Sequence, residues 1–327
     1  MLAWRKICAA LDASEVSVDA VEAACEGWPD EVRRAPGRWL RDLLDGRPQP
    51  RLRVVRLVDV LLHETEVAGD RLAWTDAPEL ARASIVRVLD DRFGDAGVER
   101  LLGGRLENLR ELALATGITD RGAQLLAGDA RMAGLHSLAL FRNEIGPDGV
   151  AALIVGSRPW KRLLLGRNRL GVAGARALAG PTGLAGLELL DLDCDRLDGD
   201  AIRELVRAPL LSRVKLLNLS NNPVGAAGCA ALAECRLDAL EVLYLHGCGL
   251  DDAAAAELMR APWLAQLSNL ALSDNALSMA SVERLVARPV LNLGELDICH
   301  NPGILEAEAE RLLRAAPQLA GLHRLCL

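Results

Sequence analysis

The stretch Leu240–Leu250, LEVLYLHGCGL, holds the only tyrosine of the chain and sets a histidine and a cysteine within five residues. Whether these are a reactive site or scaffold depends on register, and register is legible because the pattern recurs. From residue 109 onward the chain reads LRELALATGI, LHSLALFRNEIG, WKRLLLGRNRLG, LELLDLDCDRLD, VKLLNLSNNPVG, LEVLYLHGCGLD, LSNLALSDNALS and LGELDICHNPGI. The position three after the last apolar strand residue is Gly117, Asn143, Asn168, Asp195, Asn222, Cys248, Asn275 and Asn301, at spacings of 25 to 27 residues. A ninth strand, LHRLCL, ends the sequence.

A weaker copy precedes these. APELARASIVRVLDDRFG (77–94) aligns without a gap on APWLAQLSNLALSDNALS (261–278) and puts Val86, Val88, Asp91 and Phe93 on the repeat positions. LVDVLLHETEVAG (57–69) is either a still weaker copy or a helix. Between the strands lie GPDGVAALIVG, GVAGARALAG, GAAGCAALAE and DDAAAAELMRAP, with Ala and Leu at helical spacing and Gly or Asp at the start. Pro159, Pro209, Pro262 and Pro289 stand where each helix has to stop before the next strand.

The motif L-x-x-L-x-L-x-x-N/C-x-L, carried by these segments, resembles the leucine-rich repeat family, and within it the ribonuclease-inhibitor-like class with outer helices. The resemblance covers about residues 77–327, with Gly117 and Asp195 departing from the usual Asn or Cys. It implies an α/β fold: a solenoid bent into a horseshoe, about nine repeats plus the terminal strand, parallel sheet on the concave face and helices on the convex face. The curvature has a physical cause. Helices are about 10 Å across and paired strands about 4.8 Å apart, so stacking like on like bends the array with the strands inside. Parallel sheets are normally covered on both faces, so the open inner face is a surface available to a partner.

Residues 1–76 read differently, as short amphipathic helices broken at Pro29, Pro36, Pro48 and Pro50. We expect an α-helical N-terminal domain that caps the repeat core, the alternative being a separately functional module. The composition is that of a globular chain, 51% hydrophobic and 25% charged. A net charge of −7 with no Lys/Arg-rich run argues against nucleic acid or an anionic membrane as partner. Richness in Ala, Gly and Arg, with lysine only at 6, 161 and 215, points to a GC-rich bacterial gene. The start of the chain lacks a signal-peptide core, no run approaches a membrane span, and the eight cysteines include no Cys-x-x-Cys, so a reducing cytoplasm is the expectation.

Register separates scaffold from surface. Cys248 holds the ladder position occupied by Asn in other repeats, where the family satisfies loop backbone groups. SNNPVGAAG (220–228) is likewise a helix start and not a phosphate loop, since no Gly-Lys-Ser/Thr follows. Strand side chains alternate, so with Leu243 and Leu245 in the core, Tyr244 and His246 face the open side. Extended through the repeats, this gives three columns. One runs Glu111, Ser137, Arg162, Leu189, Leu216, Val242, Asn269, Glu295; the next Ala113, Ala139, Leu164, Asp191, Asn218, Tyr244, Ala271, Asp297. The third runs Ala115, Phe141, Gly166, Asp193, Ser220, His246, Ser273, Cys299. Leu164, Leu189, Leu216 and Val242 make an apolar strip with Tyr244 and Phe141 beside it, Arg142, Arg162 and Arg167 on its N-terminal side, and Asp191 and Asp193 interrupting it. Contiguous exposed apolar surface with aromatic and arginine anchors marks a binding site, and these residues with Asn218 and His246 are the expected contact set.

Chemistry fares worse. Asp193, Ser220 and His246 share a column, but the serine stands in the middle, and His246 lies about 9.6 Å from Asp193 by strand spacing, so no triad forms. His246 and Cys299 are about 10 Å apart, and Cys299-His300 has neither the spacing nor the company of a zinc site. Asp191 and Asp193, about 7 Å apart on one face, suit two-carboxylate hydrolysis in distance alone; on an open sheet they read as an acidic binding patch. We therefore expect no enzyme activity, no cofactor and no metal: a protein–protein interaction module whose partner is another protein. The resemblance also implies alternatives, a GTPase-activating role through Arg142 or Arg167, or a bacterial effector or defence sensor with its output in residues 1–76. Because LHRLCL has no helix after it, a homodimer through that C-terminal edge is a further expectation.

Overall fold

The computed structural model describes residues 85–88, 93–156, 158–181 and 183–327. The expected helices of 1–76 and the possible copy at 57–69 lie outside the described residues. The chain divides into two compact units, one ending at Ala139 and the other Leu140–Leu327.

In the first unit, β1 (Ile85–Val88), β2 (Glu111–Leu114) and β3 (Ser137–Ala139) pair in parallel, with α1 (Gly94–Gly103) and α2 (Asp120–Gly128) between them. The weak copy is a genuine repeat: Val86 opposes Leu112 and Val88 opposes Leu114, both valines fully buried, with Phe93 buried behind them. A glycine is required at 97, in α1, because a Cβ there would lie 2.4 Å from the Phe93 ring.

The second unit carries seven parallel strands in sequence order: β4 (Arg162–Leu164), β5 (Leu189–Asp191), β6 (Leu216–Asn218), β7 (Val242–Tyr244), β8 (Asn269–Ala271), β9 (Glu295–Asp297) and β10 (Arg324–Cys326). Each three-residue strand of β5–β9 buries its central residue and leaves the flanking two half-buried, as alternation demands. The helices are α3 (Pro147–Ile154), α4 (Gly171–Leu178), α5 (Gly199–Leu205), α6 (Gly225–Glu234), α7 (Asp252–Leu258), α8 (Met279–Val286) and α9 (Glu306–Ala315). None exceeds 10 residues. Helices below about 12 residues are marginal alone, so these persist by packing their Ala/Leu faces on their neighbours. Pro209 and Pro262 do more than end a helix: each opens a 3-10 turn, Pro209–Arg213 and Pro262–Gln266, that feeds the next strand. Trp160 is wholly buried and Trp263 nearly so, its indole N–H donating to the Leu232 carbonyl at 3.1 Å.

The ladder links repeats as its sequence position implies. Asn222 accepts from the backbone N–H groups of Asp195 (2.8 Å) and Leu197 (2.9 Å) while its amide donates to the carbonyls of Leu192 and Leu219, both at 2.8 Å. Asn275 and Asn301 repeat this arrangement. Cys248 stands in the same row, its thiol donating to the Leu219 carbonyl at 3.2 Å, and burial pushes that thiol up to about 12. It is scaffold.

Candidate partner-binding face

Strand pairing in the second unit fixes which side chains share the open face. One row runs Arg162, Leu189, Leu216, Val242, Asn269, Glu295, Arg324; the next runs Leu164, Asp191, Asn218, Tyr244, Ala271, Asp297, Cys326. Leu189, Leu216 and Val242 are therefore direct neighbours, and Leu164 and Tyr244 sit one row over at either end of them. All five are half-buried. Phe141 is 37% exposed, and Arg142, Arg162 and Arg167 are exposed. Neither Arg142 nor Arg162 makes an ion pair or a side-chain hydrogen bond among the described residues.

The third column is less open than alternation suggests. Ser220, Ser273 and Gly166 are covered. At Gly166 a Cβ would stand 2.9 Å from the Asp193 carbonyl oxygen and 3.2 Å from the Asp191 carboxylate. Ser273 is roofed by partners: its hydroxyl donates to Asp297 Oδ2 at 2.8 Å and meets His246 Nδ1 at 3.0 Å. With the serine donating to the carboxylate, the hydroxyl accepts from the imidazole, whose proton is therefore on Nδ1. This is a structural chain, because the serine is not deprotonated by the histidine as a nucleophile would be. His246 thus pairs with Ser273 and not with Ser220.

The two carboxylates in the strip are also engaged. Asp191 accepts from the Asp193 backbone N–H at 2.9 Å. Burial pushes its carboxyl up, against the pull of the Asp193 backbone and the Asn218 side chain. Asp193 accepts from Arg167 Nε at 3.3 Å and from Asn221 Nδ2 at 2.7 Å. These bonds make them struts of the turn.

Arg167 and Asn221 belong to a row that strand alternation does not show. Arg142, Arg167, Cys194, Asn221, Gly247, Asp274 and His300 all have left-handed backbone, φ between 55° and 65°. Each lies two residues after the last apolar residue of its strand, and together they form a rim along the sheet. Four of these side chains reach back to the face: besides Arg167 and Asn221 on Asp193, Asp274 lies 3.7 Å from His246 Nε2, and His300 Nδ1 lies 3.4 Å from Cys299 Sγ. The sequence signal was the fixed offset after the strand.

One grouping corrects the sequence reading. Cys299 and His300 do have company, because β10 pairs with β9 and sets Cys326 opposite Asp297. The ligand atoms of Asp297, Cys299 and Cys326 all lie within 4.8 Å of one another. Burial opposes ionisation of Asp297, but hydrogen bonds from Cys299 and Ser273 hold its carboxyl below the usual range. Extending the two rows to the last strand would have shown this cluster.

The leucine-rich repeat family model matches the chain at residues 135–153 and 214–233. With the open parallel sheet, alternating helices and asparagine ladder, the architecture is that of a leucine-rich-repeat protein. No curated protein matches the sequence. Among solved structures, human 5T4 (Wnt-activated inhibitory factor 1, trophoblast glycoprotein) is similar at 20% identity and TM-score 0.45, over 76% of this chain and 89% of that one. The PEPR1-AtPEP1 crystal structure is similar at 20% identity and TM-score 0.38, over 68% of this chain; the match spans only 29% of that chain. Among the described residues no helix is long and apolar enough to cross a membrane.

Proposed function

We propose that the chain is a non-enzymatic interaction module that docks another protein on the open sheet face of residues 140–327. The observation that carries this is the row Leu189–Leu216–Val242, three adjacent, half-exposed apolar side chains on one sheet face, with Tyr244 and Leu164 at its ends. Uncovered contiguous apolar surface favours a partner. Arg142 and Arg162, uncommitted beside the strip, favour a partner that brings carboxylates next to its apolar anchor. The contact set is Phe141, Arg142, Arg162, Leu164, Arg167, Leu189, Asp191, Asp193, Leu216, Asn218, Val242, Tyr244 and His246.

The finer features are part of the same proposal. A helix in nearly every repeat supports the ribonuclease-inhibitor-like class. Unpaired cysteines throughout the described residues support a reducing, cytoplasmic setting, and the Ala/Gly/Arg-rich composition a bacterial source.

The test compares affinity capture from native lysate by wild type and by a Leu189→Asp, Tyr244→Ala double variant whose fold is checked by circular dichroism. A protein held by wild type and lost by the variant is the partner. Losing two central anchors is expected to weaken binding by more than about 30-fold, the equivalent of about 2 kcal/mol. If both baits recover the same proteins, the strip is not the site. With the partner in hand, Arg142→Glu, Arg162→Glu is expected to slow association and flatten its salt dependence.

A further inference from the structure

We propose that Asp297, Cys299, Cys326 and His300 form a binding site for a zinc-class divalent cation that clips β10 to β9. The site is assembled by topology. Parallel pairing sets Cys326 beside Asp297, and strand alternation puts Cys299 on the same face, two residues on. His300 follows with its left-handed backbone, φ 56°, and its Nδ1 rests 3.4 Å from Cys299 Sγ.

The donor set selects the cation. Two sulfurs, one carboxylate oxygen and one imidazole nitrogen suit a borderline-soft ion with tetrahedral preference, and are wrong for calcium or magnesium, which take oxygen. Zinc–sulfur and zinc–nitrogen bonds of the usual lengths at a tetrahedral angle separate S from N by about 3.6 Å. The observed 3.4 Å between Cys299 and His300 meets this already. The other two donors, on Asp297 and Cys326, lie within 4.8 Å of each other and of Cys299 Sγ, so the ion has to draw them in by only a short distance.

An outer layer is built as well. Asp297 Oδ2 accepts from Ser273 Oγ at 2.8 Å and Oδ1 from the Cys299 backbone N–H at 3.1 Å. Ser273 is buried, at 4% exposure, and is itself held by His246 at 3.0 Å. Such partners orient a ligating carboxylate and leave each oxygen a further lone pair for the ion.

The experiment titrates the full-length, reduced, metal-free protein with Co²⁺ and then with Zn²⁺. One equivalent of Co²⁺ is expected to give thiolate-to-cobalt charge-transfer absorption with tetrahedral d–d bands, both bleached by Zn²⁺. Cys299→Ser and Cys326→Ser are each expected to weaken binding at least about tenfold. Cys194→Ser, at an exposed thiol elsewhere, is expected to leave it unchanged. Should a serine variant lose its circular dichroism signature, Asp297→Asn and His300→Ala carry the same comparison. Absence of a thiolate–cobalt band in folded wild type overturns the proposal, as does a band that persists in the Cys299→Ser, Cys326→Ser double variant.

Discussion

Asp195 shows what one atom does in a repeated setting. It occupies the ladder row of Asn168 and Asn222, and its Oδ1 accepts from the backbone N–H groups of Asn168 (2.7 Å) and Arg169 (3.0 Å) as an amide oxygen would. Its Oδ2 stands where the amide nitrogen of Asn222 donates, and it is buried with no hydrogen-bond partner. Burial pushes the carboxyl up to about 7, despite those backbone bonds, so below that pH the folded protein prefers the protonated form, which can donate. Because the folded pKa lies above the unfolded one, stability from this group is present at low pH. It is lost as pH rises from about 4 to about 7 and is constant above. Asp195→Asn is therefore expected to stabilise the protein by about 1–3 kcal/mol at pH 8 and by less at pH 5, read from urea unfolding at both values. Equal stability of the two proteins at pH 8 would contradict this account. The substitution within the ladder is visible in the sequence. Its energetic sign is not, because that depends on which oxygen the fold deprives of water.

At the scale of elements, the helix starts were legible and the bonds between repeats were not. Thr119, Asp198, Asp251 and Ser278 each cap the helix that follows, as Ser, Thr and Asp before an apolar period predict. The structure adds a brace running from one helix start to the next. Asp95, the second residue of α1, accepts from the Thr119 hydroxyl (2.6 Å) and from the backbone N–H groups of Thr119 (2.9 Å) and Gly122 (3.0 Å). Asp252 does the same from the start of α7, accepting from the hydroxyls of Ser278 and Ser281 and the Ser278 backbone N–H (3.0 Å). Burial works against the charge on Asp252, and these hydrogen bonds outweigh it, so the carboxyl sits below its usual range. That contribution is present above about pH 4 and fades as pH falls through the folded pKa. Asp252→Ala is expected to cost about 1–3 kcal/mol in chemical denaturation, with Ser278 and Ser281 left without their acceptor. A loss below a few tenths would show the brace to be idle. Such pairs lie more than twenty residues apart, beyond the reach of any local pattern.

For the molecule as a whole, the repeat made the fold readable, since one correct register carries to every copy. It also ordered the apolar strip and the arginines correctly within residues 140–327. Two features escaped it. The rim row depends on positive φ, which the period-two pattern does not encode, and the thiol–carboxylate cluster depends on β10 adopting the register of β9. In a repeat array each unit is held by its immediate neighbours. Interior strands such as β6 have a neighbour on both sides, whereas among the described residues β10 pairs with β9 alone. Hydrogen exchange followed by mass spectrometry is expected to show protection highest across β5–β8 and lower at β10. Uniform protection across these strands would mean that residues 140–327 open as one cooperative block.

The left-handed rim has a consequence for how such a surface changes over time. The same backbone conformation is held by arginine, cysteine, asparagine, glycine, aspartate and histidine in successive repeats. Chain geometry at that position is thus kept across six residue types, none of them β-branched, with the ladder behind it holding the turn. Outside Gly247, where a Cβ would stand 2.8 Å from Asn221 Oδ1, the rim already carries cation, anion and thiol on one path of the chain. Recognition and folding come closest to separate residues where a rim side chain makes no bond to the turn among the described residues, as at Arg142, and they share residues where it does, as at Asn221.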